Sequence, residues 1–247
     1  MKLIIQDAPA LKSAIDSIVC LVEEGQFEVK ADGLHLKAMD PSQISMVSFT
    51  MPKEAFVEYN LPEEMKIGVD IGQLANVLAR GKKGEKAELS VEEGRLVVKF
   101  YGDKHKRTFK VPLIETGDRV QREPKIDFTN MAKIRADAIK EALKDAKLIS
   151  SHIKLHFTPQ QFIVEVRGEN GDVKAEFDIG SAELIELKTQ TPAKATFPLQ
   201  YLEDMVKATS VSSVVTVNLE TDRPLRIEYD IEGAKVVYYL APRIETD

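Results

Sequence analysis

The chain has 247 residues, 43% of them apolar and 30% charged, a length and composition that suit one large or two smaller globular domains and exclude wholesale disorder. Lys and Arg number 34 against 40 Asp and Glu, and the net charge of −6 is spread over both halves, so any polyanion site must be a local stripe on an acidic body. No apolar run reaches the roughly 18–20 residues of a membrane span, the N-terminus lacks a signal-peptide pattern, and the single Cys20 excludes an internal disulfide framework, which together predict a cytoplasmic protein with no membrane contact.

The spacing of Leu11, Ala14, Ile15, Ile18, Val19 and Val22 predicts a helix over 8–22 with one apolar face. Strands are expected at 25–31, 34–38, 44–51 and 65–70, with Asp32-Gly33 as a hairpin turn. A short helix at 72–80 is ended by Gly81-Lys82-Lys83-Gly84. Segments 87–91, 95–101 and 104–111 form a meander that turns at Glu93-Gly94 and Gly102-Asp103. The polar stretch 116–124, with its Gly and Pro, is a connector. Beyond it the same order returns, with helices at 136–150 and 198–209 and final strands at 211–219, 224–230 and 234–240.

This return is a duplication. Leu11-Lys12-Ser13-Ala14-Ile15 answers to Ile139-Lys140-Glu141-Ala142-Leu143, and Asp70-Ile71-Gly72-Gln73-Leu74 to Pro198-Leu199-Gln200-Tyr201-Leu202, both 128 residues apart. Pro112-Leu113-Ile114-Glu115 and Pro242-Arg243-Ile244-Glu245 close the two halves. So long a period means two similar α+β domains, 1–115 and 125–247, rather than a solenoid.

Catalytic constellations are hard to find. His152 and His156 share one face of an expected strand, a spacing that makes them solvated or partly buried side chains rather than metal ligands. Cys20 has no local base, and phosphate-binding glycine loops are missing. No catalytic or metal-binding residue is assigned and no cofactor is expected.

The helices carry more. At 100° per residue, Lys140, Lys144 and Lys147 fall within an arc of about 60°, apart from an apolar arc of Ile139, Ala142, Leu143, Ala146 and Ile149 and an acidic one of Asp137, Glu141 and Asp145. Arg80, Lys82 and Lys83 cluster at the end of the second helix, and Lys12 sits on the polar side of the first. A solvated helix face would show the same segregation. Met39, Met46 and Met51 gather near Asp40-Pro41-Ser42-Gln43-Ile44, as suits either a core strand or an adaptable binding surface.

Leu36-Lys37-Ala38-Met39-Asp40-Pro41-Ser42-Gln43-Ile44-Ser45-Met46-Val47 resembles the Met-Asp-x-Ser loop of the archaeal and eukaryotic sliding clamps, the PCNA family. Tyr238-Tyr239-Leu240-Ala241-Pro242-Arg243-Ile244-Glu245 is similar to that family's C-terminal signature. Tyr201-Leu202, Lys207-Ala208-Thr209, Ser212-Ser213, Pro224-Leu225 and Glu228-Tyr229 follow its pattern, so the resemblance spans the chain.

The resemblance implies a homotrimeric ring, with antiparallel sheets outside and helices lining a channel for duplex DNA. It implies a nucleoid-associated, non-enzymatic processivity factor that tethers DNA polymerase, clamp loader, flap nuclease and DNA ligase through short peptide motifs. The channel set carried over is Lys12, Arg80, Lys82, Lys83, Lys140, Lys144, Lys147 and Lys207, although Glu203 and Asp204 share the helix of Lys207. The peptide pocket is Met39, Gln43, Ile44, Met46, Pro224, Tyr239, Leu240, Ala241 and Pro242, with Val120 the one apolar residue that the connector offers. Family topology puts the subunit interface on two edge strands. Lys104, Lys106, Arg107, Phe109 and Lys110 lie on one, and Asp172, Glu176, Phe177 and Asp178 on the other, so opposite charges would meet. A heterotrimer subunit and a two-domain enzyme are the alternatives.

Overall fold

The computed structural model describes residues 1–117, 121–169 and 171–244, which fall into two units: Met1–Pro41 with Val47–Gln121 and Asp230–Val236, and Ser42–Met46 with Arg122–Tyr229 and Val237–Asp247. The first unit begins with β1 (Lys2–Ile5), whose alternation buries Leu3 and Ile5. Next comes α1 (Ala8–Val19), with proline in its first turn, where a missing N–H is tolerated. It stops at Val19 rather than Val22 because the N–H of Leu21 turns back to Ile18 O at 3.1 Å. Val22 is still buried by that turn.

β2 (Glu24–Lys30), β3 (Gly33–Met39) and β4 (Ser45–Pro52) follow, then a short 3-10 turn at Lys53–Ala55 and β5 (Glu58–Asn60). The last two are too short to leave a periodic signature. β6 (Met65–Asp70) leads into α2 (Ile71–Leu78), capped by the Asp70 carboxylate accepting from Gln73 N at 2.7 Å. β7 (Lys86–Glu92), β8 (Arg95–Tyr101) and β9 (Lys106–Pro112) complete the meander. β9 starts at Lys106 because the Gly102 N–H closes a turn on His105 O at 3.0 Å. One sheet runs β5-β1-β7-β8-β9, and β6-β2-β3-β4 are neighbours in another.

Leu11, Ala14, Ile15 and Ile18 of α1 and Leu74 and Leu78 of α2 are buried where the two helices pack. Each fully buried Leu or Ile contributes about 2 kcal/mol of transfer free energy. The connector leaves this unit through a close approach: Ile114 N donates to Gly68 O at 2.9 Å, and a Cβ at Gly68 would lie 2.1 Å from Ile114 O, so only glycine fits there.

The second half of the chain repeats the plan with β10 (Met131–Arg135), α3 (Ala136–Lys147), β11 (His152–Phe157), β12 (Gln161–Gly168), β13 (Gly171–Asp178), β14 (Leu184–Lys188), β15 (Ala193–Pro198), α4 (Leu199–Lys207), β16 (Val214–Asn218), β17 (Leu225–Ile231) and β18 (Ala234–Leu240). Both helix starts, Ala8 and Ala136, Ile71 and Leu199, are 128 residues apart, matching the sequence offset. The pairing repeats too: β1 lies between β5 and β7 as β10 lies between β14 and β16, and β2-β3 and β2-β6 answer to β11-β12 and β11-β15. α3 ends at Lys147, short of Ser150, where the N–H groups of Leu148 and Ile149 bond to Asp145 O and Ala146 O. Among the described residues no helix is long and apolar enough to cross a membrane.

Candidate functional site

α3 and α4 pack together, and the groove along their polar side, 330 Å³, is lined by Lys140, Lys144, Lys147 and Lys207 together with Glu203 and Asp204. The stripe expected from helix periodicity is therefore one surface, but most of its charges are already engaged. Lys140 donates to Thr209 O at 2.6 Å and Lys207 O at 3.4 Å, a cation at the negative C-terminal end of α4. Burial, aided by the nearby Lys144, holds the Lys140 ammonium below its usual range. Lys144 meets Glu141 at 2.6 Å, and that hydrogen bond raises its pKa. Lys147 crosses to Glu203 at 2.7 Å, a pairing that arithmetic on a single helix could not foresee. In the first unit Lys12 pairs with Asp16 one turn along α1, while Arg80, Lys82 and Lys83 are exposed around the end of α2.

The loop before β4 and the chain end meet in the second unit, where Ala241 N donates to Ile44 O at 2.8 Å. Gln43 is exposed and holds φ at 59°, a left-handed conformation that a side chain adopts only at a cost. Ile44, Pro224, Ala241 and Pro242 are half-buried and can meet a ligand. Met46 and Leu240, 3% and 1% exposed, are core side chains that support this surface rather than form it. Tyr239 is buried, and its hydroxyl donates to Glu123 Oε2 at 3.1 Å; burial and the Glu123 charge push the phenol pKa up. Met39 lies in the first unit, beside a 610 Å³ concavity lined by Thr116, Gly117 and Gln121 of the connector. Val120 lies outside the described residues.

β9 is the last strand of its sheet and β13 the last of the order β13-β12-β11-β15, so each leaves one row of backbone groups open. Phe109 packs edge-on against Phe100 at 5.8 Å, and Lys106 lies over the Tyr101 ring at 5.1 Å. Lys104 sits in the turn before β9, and Lys106 and Lys110 are exposed on the strand. Arg107 instead turns toward its own unit and binds the buried Glu85. Burial alone would raise the Glu85 pKa, but the Lys82 N–H, His105 and Arg107 hold it below the usual carboxylate range. On β13, Phe177 stacks near Phe162 at 6.0 Å, and Asp172, Glu176 and Asp178 are exposed. Beside it the acidic face of α3 helps to form a 420 Å³ groove lined by Glu141, Asp145, Glu176, Asp178, Glu183 and Phe177. Glu183 was not among the residues singled out from sequence; it precedes β14 and reaches the groove only through the fold.

His152 and His156 share one face of β11, as their spacing requires. Among the described residues no group of three or more His, Cys, Asp or Glu is arranged to hold a metal ion.

The family model for the proliferating cell nuclear antigen N-terminal domain matches residues 1–115, and that for its C-terminal domain matches residues 123–244. DNA polymerase sliding clamp 1 of Pyrobaculum aerophilum is 37% identical over 241 residues, covering 97% of this chain and 96% of the relative. The solved PCNA of Thermococcus kodakaraensis superposes with a TM-score of 0.93 at 26% identity, covering 98% of this chain and 99% of the other. The A. fulgidus PCNA bound to the C-terminal region of FEN-1 does so at 0.89 and 30% identity, covering 100% of this chain and 99% of the other.

Proposed function

Because the chain belongs to the proliferating cell nuclear antigen family of DNA polymerase sliding clamps, we propose that three copies close into a ring that encircles duplex DNA and tethers replication and repair enzymes to it. Two open sheet edges of opposite charge carry this function. A chain with Lys106 and Lys110 on one terminal strand and an acidic groove beside the other can join head to tail with its own copies, and such a contact closes a ring when the rotation fits.

Residues 1–115 and 125–247 are the two clamp domains of each subunit, with 116–124 linking them. Lys12, Arg80, Lys82, Lys83, Lys140, Lys144, Lys147 and Lys207 face the DNA, touching phosphates without reading bases. The ring catalyses nothing and works in the cytoplasm on the nucleoid. Partner peptides of polymerase, clamp loader, flap nuclease and ligase seat on Gln43, Ile44, Pro224, Ala241 and Pro242, over a floor of Met46, Tyr239 and Leu240; the family resemblance adds Met39 and Val120 to this set. The FEN-1 segment bound to the A. fulgidus relative supports a flap nuclease among them.

Topology distinguishes encirclement from ordinary affinity. Loaded on nicked circular DNA, the protein should stay bound in high salt and be released when the circle is cut. Equal retention on linear and circular DNA would overturn the ring. Light scattering of the purified chain should give the mass of three copies, whereas a monomer would mean that other subunits complete the ring.

A further inference from the structure

Residues 122–130, where the chain passes from the connector into β10, form neither helix nor strand, and side chains of the second unit hold them at both ends. At the far end Asn130 is fully buried. Its N–H and its side-chain amide donate to the Glu220 carboxylate at 3.2 and 3.3 Å, and its side-chain oxygen accepts from Gln190 N at 3.0 Å. The Thr129 hydroxyl adds a bond to Glu220 at 2.9 Å. Glu220 shares the β16–β17 loop with Pro224, so this end is fastened to a loop of the peptide surface.

At the near end the Tyr239 hydroxyl donates to Glu123 Oε2 at 3.1 Å. Arg226 of β17 approaches the same hydroxyl and opposes the rise in its pKa that burial and Glu123 cause. The Arg226 guanidinium donates on to Asn218 Oδ1 at 3.2 Å, and Asn218 Nδ2 to Asn130 O at 3.3 Å. One polar network on β16, β17 and β18 therefore brackets the segment. Its two ends are unequal. Asn130 is out of reach of water, whereas Glu123 is half-buried, so water can take the place of the phenol there and the near end is the one that opens.

We propose that the Tyr239 hydroxyl is a positioning group: through Glu123 it latches segment 122–130 against the peptide surface, so that a partner peptide meets a wall already in place. This role, which rests on the assignment of that surface to partner peptides, is separate from contact. The ring of Tyr239 belongs to the floor, while its hydroxyl is spent on the connector. A segment already ordered spares the peptide the entropy of ordering it. With the latch open, only the fraction of molecules that hold the segment in place is competent, and the apparent affinity falls by that fraction.

A labelled peptide from the C-terminal region of FEN-1, the segment bound to the A. fulgidus relative, tests the latch by fluorescence anisotropy with the full chain. Tyr239→Phe keeps the ring and removes only the hydroxyl; it should weaken the peptide severalfold at a melting temperature and assembly mass close to the parent's. Glu123→Ala breaks the same bond from its half-buried side, so it should weaken the peptide as well, and adding Tyr239→Phe to it should cost nothing further. Amides of 122–128 should exchange with deuterium faster in both free variants, a change that the loss of a peptide contact alone would not produce. Ile44→Ala leaves the network intact and reports on the surface itself. If it weakens the peptide while Tyr239→Phe binds like the parent, the latch is overturned and the surface stands. Losses from Tyr239→Phe and Glu123→Ala that multiply, with exchange unchanged, would make the hydroxyl a direct peptide contact and overturn the latch too. If Ile44→Ala also binds like the parent, the peptide seats elsewhere and both readings fall.

Discussion

Glu186 is held between Lys133 at 2.6 Å and Lys188 at 2.7 Å, and these hydrogen bonds lower its pKa to about 2. A carboxylate whose pKa is lower folded than unfolded adds stability above its unfolded value, near about 4.3, and loses it as the pH falls through the folded one. Glu186→Gln should therefore lower the melting temperature at pH 7, with the gap to the parent closing between about pH 4.5 and 2 in thermal melts. Burial separates the residues of the peptide surface in the same way. Met46→Glu would place a carboxylate in the core and should cost several kcal/mol of stability, visible as a lowered melting temperature. Ile44→Ala removes only half-buried surface, so it should leave folding nearly intact while weakening a partner peptide by about tenfold in a titration.

α3 serves three surroundings at once. Ile139, Ala142, Leu143 and Ala146 are buried, its lysines share the groove with α4, and Glu141 and Asp145 line the acidic groove by β13. Its apolar period and segregated charges are visible in sequence, because a helix repeats its own geometry. Which charge meets which is not, because Glu203 and Thr209 come from α4 and beyond. Each fully released phosphate contact contributes a salt slope of about 0.9 on duplex DNA. Replacing Lys140, Lys144 and Lys147 by alanine should lower the slope by less than the sum of three such contacts, since these lysines already have protein partners. Glu203→Gln should act in the opposite direction, freeing Lys147 and tightening DNA binding, as a filter-binding titration over a salt series would show.

For the whole molecule the deciding contact is between copies. An exposed ion pair is worth up to about 1 kcal/mol, so the charges on β9 and β13 should choose the partner edge more than they set the total affinity. Lys106→Glu with Lys110→Glu should shift the assembly toward monomers, and Glu176→Lys with Asp178→Lys on a second chain should restore mixed assemblies, both measured by light scattering. Arg107 is a poorer choice for such a test, because a glutamate there would face the buried Glu85 and disturb the fold as well as the edge. A double reversal that leaves the trimer mass unchanged at low micromolar concentration would move the interface elsewhere.

Local order and duplication were legible in the chain itself. Periodicity placed α1 and α3, a glycine-bounded stop placed α2, turn residues placed the first meander, and a constant offset exposed the repeated plan and with it α4, because each depends on neighbours a few residues away or on comparing the chain with itself. The helices end two or three residues earlier than the sequence predicts, and in α1 and α3 the closing turns at Ile18 and Ala146 are hydrogen-bond choices that apolar spacing does not encode. Burial of Met46 and Leu240, the turn of Arg107 toward Glu85, and the meeting of Arg243 with Thr196 were decided only by tertiary structure. Each joins residues far apart in sequence, and a side chain's surroundings exist only once distant strands have paired.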